Sequence, residues 1–219
     1  MTVLTSDDAA RGWLASQPGV DAVARARLER LVALLIDENT RQNLVSAGSL
    51  EHVWLRHIAD SAQLLVHVSH ETPGPWVDLG SGAGFPGLVI AALRPECEVV
   101  LVESRTRRIE WLTRAAGALG LDRVKVAGAR LETIEPFRAG VISARAFAPL
   151  DRLLDLSARF STSDTIWLLP KGRSARDEVT QLQGWSHTFH VEHSLTDAEA
   201  GVIVGQVSGR VSVKKGRKR

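Results

Sequence analysis

Hydrophobic residues divide the chain into two parts with different periodicities. In the first part they recur every three or four positions, the spacing of one helix face; the best series is Leu28, Leu31, Val32, Leu34 and Leu35. Ser6 precedes Asp7 and Asp8, a start signal for an earlier helix because a serine oxygen caps the first N–H groups and acids favour that end. Ser49 is expected to cap a further helical stretch. We therefore predict an N-terminal helical extension over residues 1–70.

The second part begins after the helix-breaking run at 72–75, Thr-Pro-Gly-Pro, and alternates short apolar runs with helical segments. Predicted strands cover 76–79, 98–102, 124–126, 140–143 and 165–169, and predicted helices cover 87–93, 107–119, 150–160 and 175–182. This alternation predicts a mostly parallel, seven-stranded α/β sheet with helices on both faces. The last two strands, 188–194 and 202–207, are expected to pair as an antiparallel hairpin at its edge.

Basic charge is concentrated at the C-terminus. Five of the 27 Lys and Arg residues lie at 214–219, so the other 22 face 25 acidic residues. Such a basic tail either contacts an anionic polymer such as RNA or is simply solvated. A single cysteine, Cys97, excludes an intrachain disulfide and a cysteine-rich zinc site, and we expect no metal. No signal peptide and no run of 18 apolar residues is present, so we expect a cytoplasmic chain without a membrane span.

A glycine-rich turn joins the first predicted strand to the helix that follows. It reads Asp-Leu-Gly-Ser-Gly-Ala-Gly-Phe-Pro-Gly over 78–87. Glycine lets the backbone bend sharply and lets a ligand approach the main chain closely. The carboxyl ends of parallel strands are where open α/β sheets bind ligands. The sequence therefore predicts a ligand site at this turn.

Two nucleoside ligands fit the spacing. Gly82 opens a Gly-x-Gly-x-x-Gly dinucleotide fingerprint, and Glu103 ends the next strand, where a carboxylate takes the ribose hydroxyls of a nucleotide. The wider pattern, with Asp78 two residues before Gly80, resembles the first motif of class I methyltransferases, and Glu132 adds an acidic position after the third strand. These features favour S-adenosyl-L-methionine over NAD. The chain also has no tyrosine, and so no Tyr-x-x-x-Lys motif of an NAD-linked oxidoreductase.

Several segments, in order, resemble the guanine-N7 methyltransferases of small-subunit ribosomal RNA, once called glucose-inhibited division protein B. They lie at 43–46, 56–61, 77–87, 103–104, 107–108, 129–132, 143–148 and 169–172. The resemblance covers about residues 28 to 182. The family often has Ala-Glu where this chain has Leu131-Glu132.

The resemblance implies a class I, Rossmann-like methyltransferase. It implies a cytoplasmic enzyme that uses S-adenosyl-L-methionine to methylate N7 of a guanine in 16S ribosomal RNA, on the small subunit or its precursor. It also implies contacts to the methyl donor from Gly80, Phe85, Leu131, Glu132 and Arg145. To these the motif pattern adds Asp78, Gly82, Gly84 and Glu103. We expect a monomer with a methyltransferase domain over 71–213, between the helical extension and the basic tail at 214–219.

Methylation of guanine N7 makes modest chemical demands. N7 carries an in-plane lone pair and no proton, so the reaction needs alignment and charge stabilisation rather than a nucleophile or a strong base. Arg145, after the fourth strand, is a candidate catalytic residue that suits guanine O6 or a phosphate, or else forms a structural ion pair. Lys171 is the second candidate, for a phosphate contact, or else a surface lysine. His57 and Asp60 are candidates for a polar cluster, with Arg56, that faces the crevice.

Other interpretations stay open from sequence alone. The chain is either this enzyme, a class I methyltransferase with a protein or small-molecule substrate, or a non-enzymatic RNA-binding assembly factor with a vestigial pocket. Arg105, Arg107 and Arg108 open a helix, where the macrodipole disfavours cations. That conflict indicates either phosphate binding or a solvated face.

Overall fold

The computed structural model describes residues 3–211, so the basic tail at 214–219 lies outside the described residues. Helix α1 spans Asp7–Ala15 and begins at Ser6, whose side chain accepts a backbone N–H, as predicted. Helix α2 spans Ala22–Asn39 and begins at Asp21 in the same way. Its predicted apolar face is confirmed, because Leu28, Leu31, Val32 and Leu35 are buried. The described helices include none that is long and apolar enough to cross a bilayer.

The next helix begins earlier than predicted. Helix α3 spans Ala47–Leu50 and is capped by Ser46, whose hydroxyl accepts the N–H of Ser49 at 3.3 Å. The prediction that Ser49 is the cap is wrong, because Ser46 has the extended backbone of a cap and Ser49 lies inside the helix. The chain continues as a π-helical turn (Trp54–Ala59), helix α4 (Asp60–Ala62) and a 3₁₀ turn (Gln63–His67).

The remaining strands and helices follow the predicted alternation, with two further short strands, at Trp185–His187 and Val207–Arg210, that were not predicted. The strands are β1 (Trp76–Leu79), β2 (Val99–Val102), β3 (Val124–Ala127), β4 (Val141–Ala144), β5 (Ile166–Lys171), β6 (Trp185–His187), β7 (His190–His193), β8 (Gly201–Gly205) and β9 (Val207–Arg210). The helices are α5 (Gly87–Leu93), α6 (Thr106–Ala118), α7 (Leu150–Ser157) and α8 (Ala175–Gln181), with single 3₁₀ turns at Leu131–Thr133 and Ala158–Phe160.

Seven strands form one sheet in the order β3-β2-β1-β4-β5-β8-β7. Strands β1 to β5 pair in parallel, and β8 runs antiparallel to both β5 and β7. The predicted fold class and the predicted terminal hairpin are therefore confirmed. Because β8 is inserted between β5 and β7, only β7 of the two hairpin strands lies at an edge of the sheet, and β3 lies at the other edge. Strands β6 and β9 pair separately as a two-stranded sheet.

Two apolar layers cover the sheet. One combines the N-terminal helices with α5 and α6, so that Leu28 and Leu88 belong to the same buried cluster as Trp76. The other packs α7 and α8 on the opposite face, where Leu153 lies with the fully buried Trp167. The N-terminal segment therefore shares a core with the sheet. This packing brings the segment at 49–60 beside the carboxyl end of β4.

Candidate active site

The turn after β1 requires glycine at three positions. Gly80, Gly82 and Gly84 have φ values of +66°, +56° and +99°, a region that residues with a side chain rarely adopt. Space is also lacking. A Cβ on Gly80 would lie 2.5 Å from the ring of Phe147, and a Cβ on Gly84 would lie 2.4 Å from Leu88. The glycines therefore let the loop pass closely under neighbouring side chains.

Asp78 supports this loop from below. Its carboxylate is fully buried, accepts the N–H of Gly87 at 3.1 Å and accepts the hydroxyl of Ser143 at 3.0 Å. Burial raises the pKa of Asp78 to about 6, although these hydrogen bonds act in the opposite direction. Asp78 does not line the cavity that opens on the other side of this loop, which is described below. The visible contacts of Asp78 hold the loop, because its carboxylate is enclosed between β1, β4 and α5, and its donor contact stays a prediction.

Glu103, at the end of β2, closes the loop from the side. One carboxylate oxygen accepts the N–H of Gly82 at 3.0 Å. The other accepts the N–H groups of Ser104 at 2.7 Å and Arg105 at 2.9 Å. Glu103 is only 7% exposed to solvent. Three N–H donors from two segments of the chain orient its carboxylate. It is therefore held at a fixed position on the wall of the cavity beside it.

A cavity of about 360 Å³ opens over the carboxyl ends of β1, β2 and β4. We call it the glycine-loop cavity. Four residues predicted to bind the donor line it: Gly80, Glu103, Leu131 and Glu132. Its other lining residues include three arginines and two apolar side chains, Arg105, Arg108, Arg130, Phe147 and Leu156. It joins an anchored carboxylate to an apolar wall, as a nucleoside site requires.

The other five predicted donor-binding residues do not line this cavity: Asp78, Gly82, Gly84, Phe85 and Arg145, of which Arg145 lines a second cavity. Gly82 and Gly84 shape the loop behind it, and Gly84 packs against Leu88. Phe85 is buried at 3% exposure and stacks on His57, with ring centroids 4.9 Å apart and planes 17° apart. The sequence motif predicted a ligand site at this loop but did not separate residues that line the cavity from residues that shape it.

A second cavity, of about 320 Å³, lies beside the first. We call it the arginine cavity. Its lining brings residues of the N-terminal segment together with the ends of β4 and β5: Ser49, Arg56, His57, Asp60, Arg145, Lys171, Thr196 and Asp197. Ala146 lines both cavities. Its φ of +52° makes it the one non-glycine residue in the described range with φ in this region, so the backbone bends sharply at the shared wall.

Arg145 is anchored on the floor of the arginine cavity. Its Nη1 atom donates to Asp60 Oδ2 and to the carbonyl of Arg56, each at 3.2 Å. Its Nη2 atom lies 3.0 Å from Nδ1 of His57. The predicted polar cluster is therefore confirmed for His57 and Asp60. The Arg56 side chain instead pairs with Asp197 at 3.2 Å.

His57 is electrically neutral in this cluster. Burial, followed by the positive charges of Arg145 and Arg56, lowers the pKa of His57 to about 3. His57 is only 7% exposed to solvent, and its ring is held by stacking on Phe85. The imidazole therefore carries no positive charge at neutral pH, and one of its ring nitrogens is free to accept a hydrogen bond from Arg145.

Lys171 lines the arginine cavity but already has partners. Its Nζ donates to the carbonyl of Ala148 at 2.7 Å and to Glu178 Oε2 at 2.8 Å. Burial alone would raise the pKa of Glu178, but hydrogen bonds from Lys171 and Ser174 outweigh it and the pKa is lowered. Catalysis by Lys171 stays a prediction, and its visible contact is an anchor for the segment after β4.

Sequence reasoning missed the contribution of the loop between β7 and β8. Thr196 donates to Asp60 Oδ1 at 2.8 Å, and Gln63 accepts the N–H of Leu195 at 2.7 Å. These residues lie more than 130 positions apart, and no local motif marks them. Among the described residues, no group of three or more His, Cys, Asp or Glu side chains is arranged to hold a metal ion.

Solved structures place the fold in a known class. The chain resembles cofactor-bound Rv0187 from MTB with a TM-score of 0.63 and 14% identity, over 94% of this chain and 99% of that one. It also resembles a SAM dependent methyltransferase from Aquifex aeolicus with a TM-score of 0.52 and 12% identity, over 68% and 89% of the two chains. Together with the strand order and the glycine turn, these likenesses define a class I methyltransferase fold.

Sequence relatives then identify the family. A profile described as rRNA small subunit methyltransferase G matches residues 24–200. A protein of Erythrobacter litoralis named Ribosomal RNA small subunit methyltransferase G is 59% identical over 205 residues, 93% of this chain and 98% of the relative. The protein of that name from Novosphingobium aromaticivorans is 57% identical, over 94% and 90% of the two chains. The chain belongs to the rRNA small subunit methyltransferase G family, which confirms the resemblance seen in the sequence.

Proposed function

We propose that this protein transfers a methyl group from S-adenosyl-L-methionine to N7 of a specific guanine in 16S ribosomal RNA. One observation carries the proposal: two adjacent cavities share Ala146 as a wall, one with the anchored carboxylate of Glu103 and one with Arg145. Relatives that share more than half of their residues with this chain are named as methyltransferases of small-subunit ribosomal RNA. The family name supplies the class of substrate, and the arginine cavity supplies the base-binding group.

The glycine-loop cavity fits the donor. Glu103 would accept one hydroxyl group of the donor's ribose, Leu131 would pack on the adenine, and Glu132 would accept its amino group. Gly80 leaves the room beside Phe147 that a side chain would fill. When bound, S-adenosyl-L-methionine supplies an electrophilic methyl group on a positively charged sulfur. The loop residues Gly82, Gly84 and Phe85, together with Asp78 below them, hold the wall of the cavity in place.

The arginine cavity takes the guanine. Arg145 donates to O6 of the base and leaves the lone pair of N7 free to react. The chain needs no general base there, because N7 has no proton to lose. Catalysis then rests on holding the base beside Ala146, next to the donor site, which makes the transfer effectively intramolecular. Lys171 contributes by anchoring the carbonyl of Ala148, two residues beyond this wall.

Wider contacts to the substrate follow from charge. Arg105, Arg108 and Arg130 border the glycine-loop cavity, and five more basic residues lie at 214–219. Arginine and lysine side chains at these positions would neutralise phosphates and make binding dependent on salt. We propose that the protein acts as a monomer in the cytoplasm on the small subunit or its precursor.

Methyl transfer to purified particles tests the proposal. Small subunits from a strain that lacks this protein would be incubated with it and with labelled donor, and the modified base would be mapped. One guanine should gain one N7 methyl group, and Arg145→Ala should reduce the rate at least 100-fold at a temperature where the variant is still folded, as its cooperative thermal unfolding would show. Methylation at another atom, or transfer only to a protein, would overturn the proposal. Binding of the particles with no measurable donor binding, in their presence or absence, would instead favour an RNA-binding assembly factor with a vestigial pocket.

A further inference from the structure

We propose that His57 and Asp60 are positioning residues that fix the guanidinium of Arg145 so that it reads only O6 of the target guanine. The inference rests on the proposed function and adds the means of base recognition. Both residues come from the N-terminal segment, whereas Arg145 follows β4. Base recognition is thereby assigned to a contact between two separate parts of the chain.

The hydrogen-bonding capacity of Arg145 is partly used by the protein itself. Arginine has five N–H donors and no acceptor. Three of them are taken by the carbonyl of Arg56, by Asp60 Oδ2 and by His57 Nδ1. Within the described range, the Nε–H and one Nη2–H have no protein acceptor. Two donors on a fixed plane therefore remain for a substrate.

The tautomer of His57 follows from its two neighbours. Because Arg145 can only donate, Nδ1 of His57 must be the acceptor of the 3.0 Å contact. On the other side of the ring, Nε2 lies 3.1 Å from the hydroxyl oxygen of Ser49. That hydroxyl donates its hydrogen to the carbonyl of Ser46 at 2.9 Å, so it accepts the proton on Nε2. The hydrogen bonds thus all run in one direction: Arg145 donates to His57, and His57 donates to Ser49.

Asp60 fixes the second side of the guanidinium. Its Oδ2 accepts from Arg145, while its Oδ1 accepts from Thr196 at 2.8 Å and from the Gln63 amide at 3.0 Å. Both oxygens are therefore occupied, and the carboxylate cannot turn away without breaking other hydrogen bonds. A charge held in this way directs the guanidinium more strongly than a mobile surface pair would.

This restraint suits the reaction for a chemical reason. An arginine that reads guanine usually donates to both O6 and N7. Here N7 is the atom that must react, so a donor on N7 would block its lone pair. A guanidinium restrained on two sides can be presented to O6 without turning onto N7. The same geometry rejects a purine with an amino group at C6, because two donors would then face each other.

The test compares two bases at the target position. Small subunits would be reconstituted with 16S RNA that carries either guanine or 2,6-diaminopurine there, since both bases keep N7. The native protein should prefer guanine in kcat/KM by about 10- to 100-fold. His57→Phe keeps an aromatic ring over Phe85 but removes the acceptor, and Asp60→Asn removes the charge. Each should lower the preference at least fivefold, with the donor Kd unchanged.

Controls separate positioning from folding and from the proposed function. His57→Asn, which restores an acceptor oxygen near Nδ1, should recover part of the preference, and His52→Phe on the exposed surface of the same segment should leave it unchanged. An unchanged preference in folded His57→Phe and Asp60→Asn would overturn the inference. Equal losses for both bases, with weaker donor binding, would also overturn it. Failure of the native protein to methylate any guanine would contradict the proposed function instead.

Discussion

The backbone N–H of Gly82 donates to the carboxylate of Glu103 at 3.0 Å and ties the glycine loop to the end of β2. In Glu103→Ala, three buried or partly buried N–H groups lose their acceptor and the cavity loses its carboxylate. We expect the Kd for S-adenosyl-L-methionine to rise at least 30-fold, since such a loss costs about 2 kcal/mol or more. Calorimetric titration measures this change.

The matched control for this prediction is Glu98→Ala. Glu98 directly precedes β2, whereas Glu103 directly follows it. Glu98 pairs with Lys125 on the surface at 2.7 Å, and exposed pairs contribute little. Donor binding should be unaffected there. Equal Kd values for Glu103→Ala and the native protein would show that the carboxylate does not face the donor.

Gly80→Ala should weaken donor binding and stability together. The added Cβ meets Phe147 at 2.5 Å, and the φ of +66° is unfavourable for alanine. We expect the free energy of unfolding to fall by about 1 to 2 kcal/mol. Denaturant titration measures it.

Gly117→Ala provides the contrast, because Gly117 lies in α6 with no atom within 4 Å of an added Cβ. That variant should gain about 0.5 to 1 kcal/mol, as alanine favours a helix interior over glycine. If both alanine variants had the same stability, the strained geometry of the loop would be contradicted.

Asp78→Asn should change how stability depends on pH. The pKa of Asp78 is about 6 in the folded protein against an ordinary value of 3.8, so the folded state keeps a proton that the unfolded state has already released. Its stabilising contribution is complete below pH 3.8 and is lost as pH rises through 6, an effect of about 3 kcal/mol. Asparagine carries no such proton. The variant should therefore gain stability relative to the native protein between pH 4 and 7. Urea titrations at several pH values measure this, and the same change in the free energy of unfolding with pH for both proteins would contradict it.

Lys171→Met tests whether this residue matters beyond its ion pair. The variant leaves the partly buried Glu178 without its cation, which should cost about 2 kcal/mol. Lys171→Met combined with Glu178→Gln should recover most of that loss, because glutamine still accepts the N–H of Leu150.

Methyl transfer by the double variant then isolates the contribution of Lys171 to the reaction. We expect at least a tenfold loss in kcat, because the carbonyl of Ala148 loses its anchor next to the shared wall. Native activity in the stable double variant would assign Lys171 to folding alone.

Local signals in the sequence predicted the elements well. Strand β1 and helix α5 have the predicted bounds, and the parallel order follows from the alternation of apolar runs. The error at Ser49 arose because two serines lie three residues apart and only the backbone conformation of Ser46 distinguishes the cap. Such a choice depends on packing that local sequence does not carry.

The roles of individual site residues were harder to predict than their location. Asp78 and Phe85 belong to the predicted loop, but their burial is decided by β4 and by the N-terminal segment. The contact of Thr196 with Asp60 depends on where a distant loop returns to the sheet. Predictions based on motifs locate a site along the chain, whereas tertiary packing decides which side chains face its interior.

The shared core of the N-terminal segment has a consequence for evolution and engineering. Residues that grip Arg145 lie before residue 61, and the helices around them are buried together with α5 and β1. A chimaera that took this segment from another methyltransferase would exchange part of its base-reading apparatus along with its packing. If Arg145 reads the base as proposed, selectivity for the nucleotide would therefore be transferred together with the leading helices and not with the nucleoside-binding half alone.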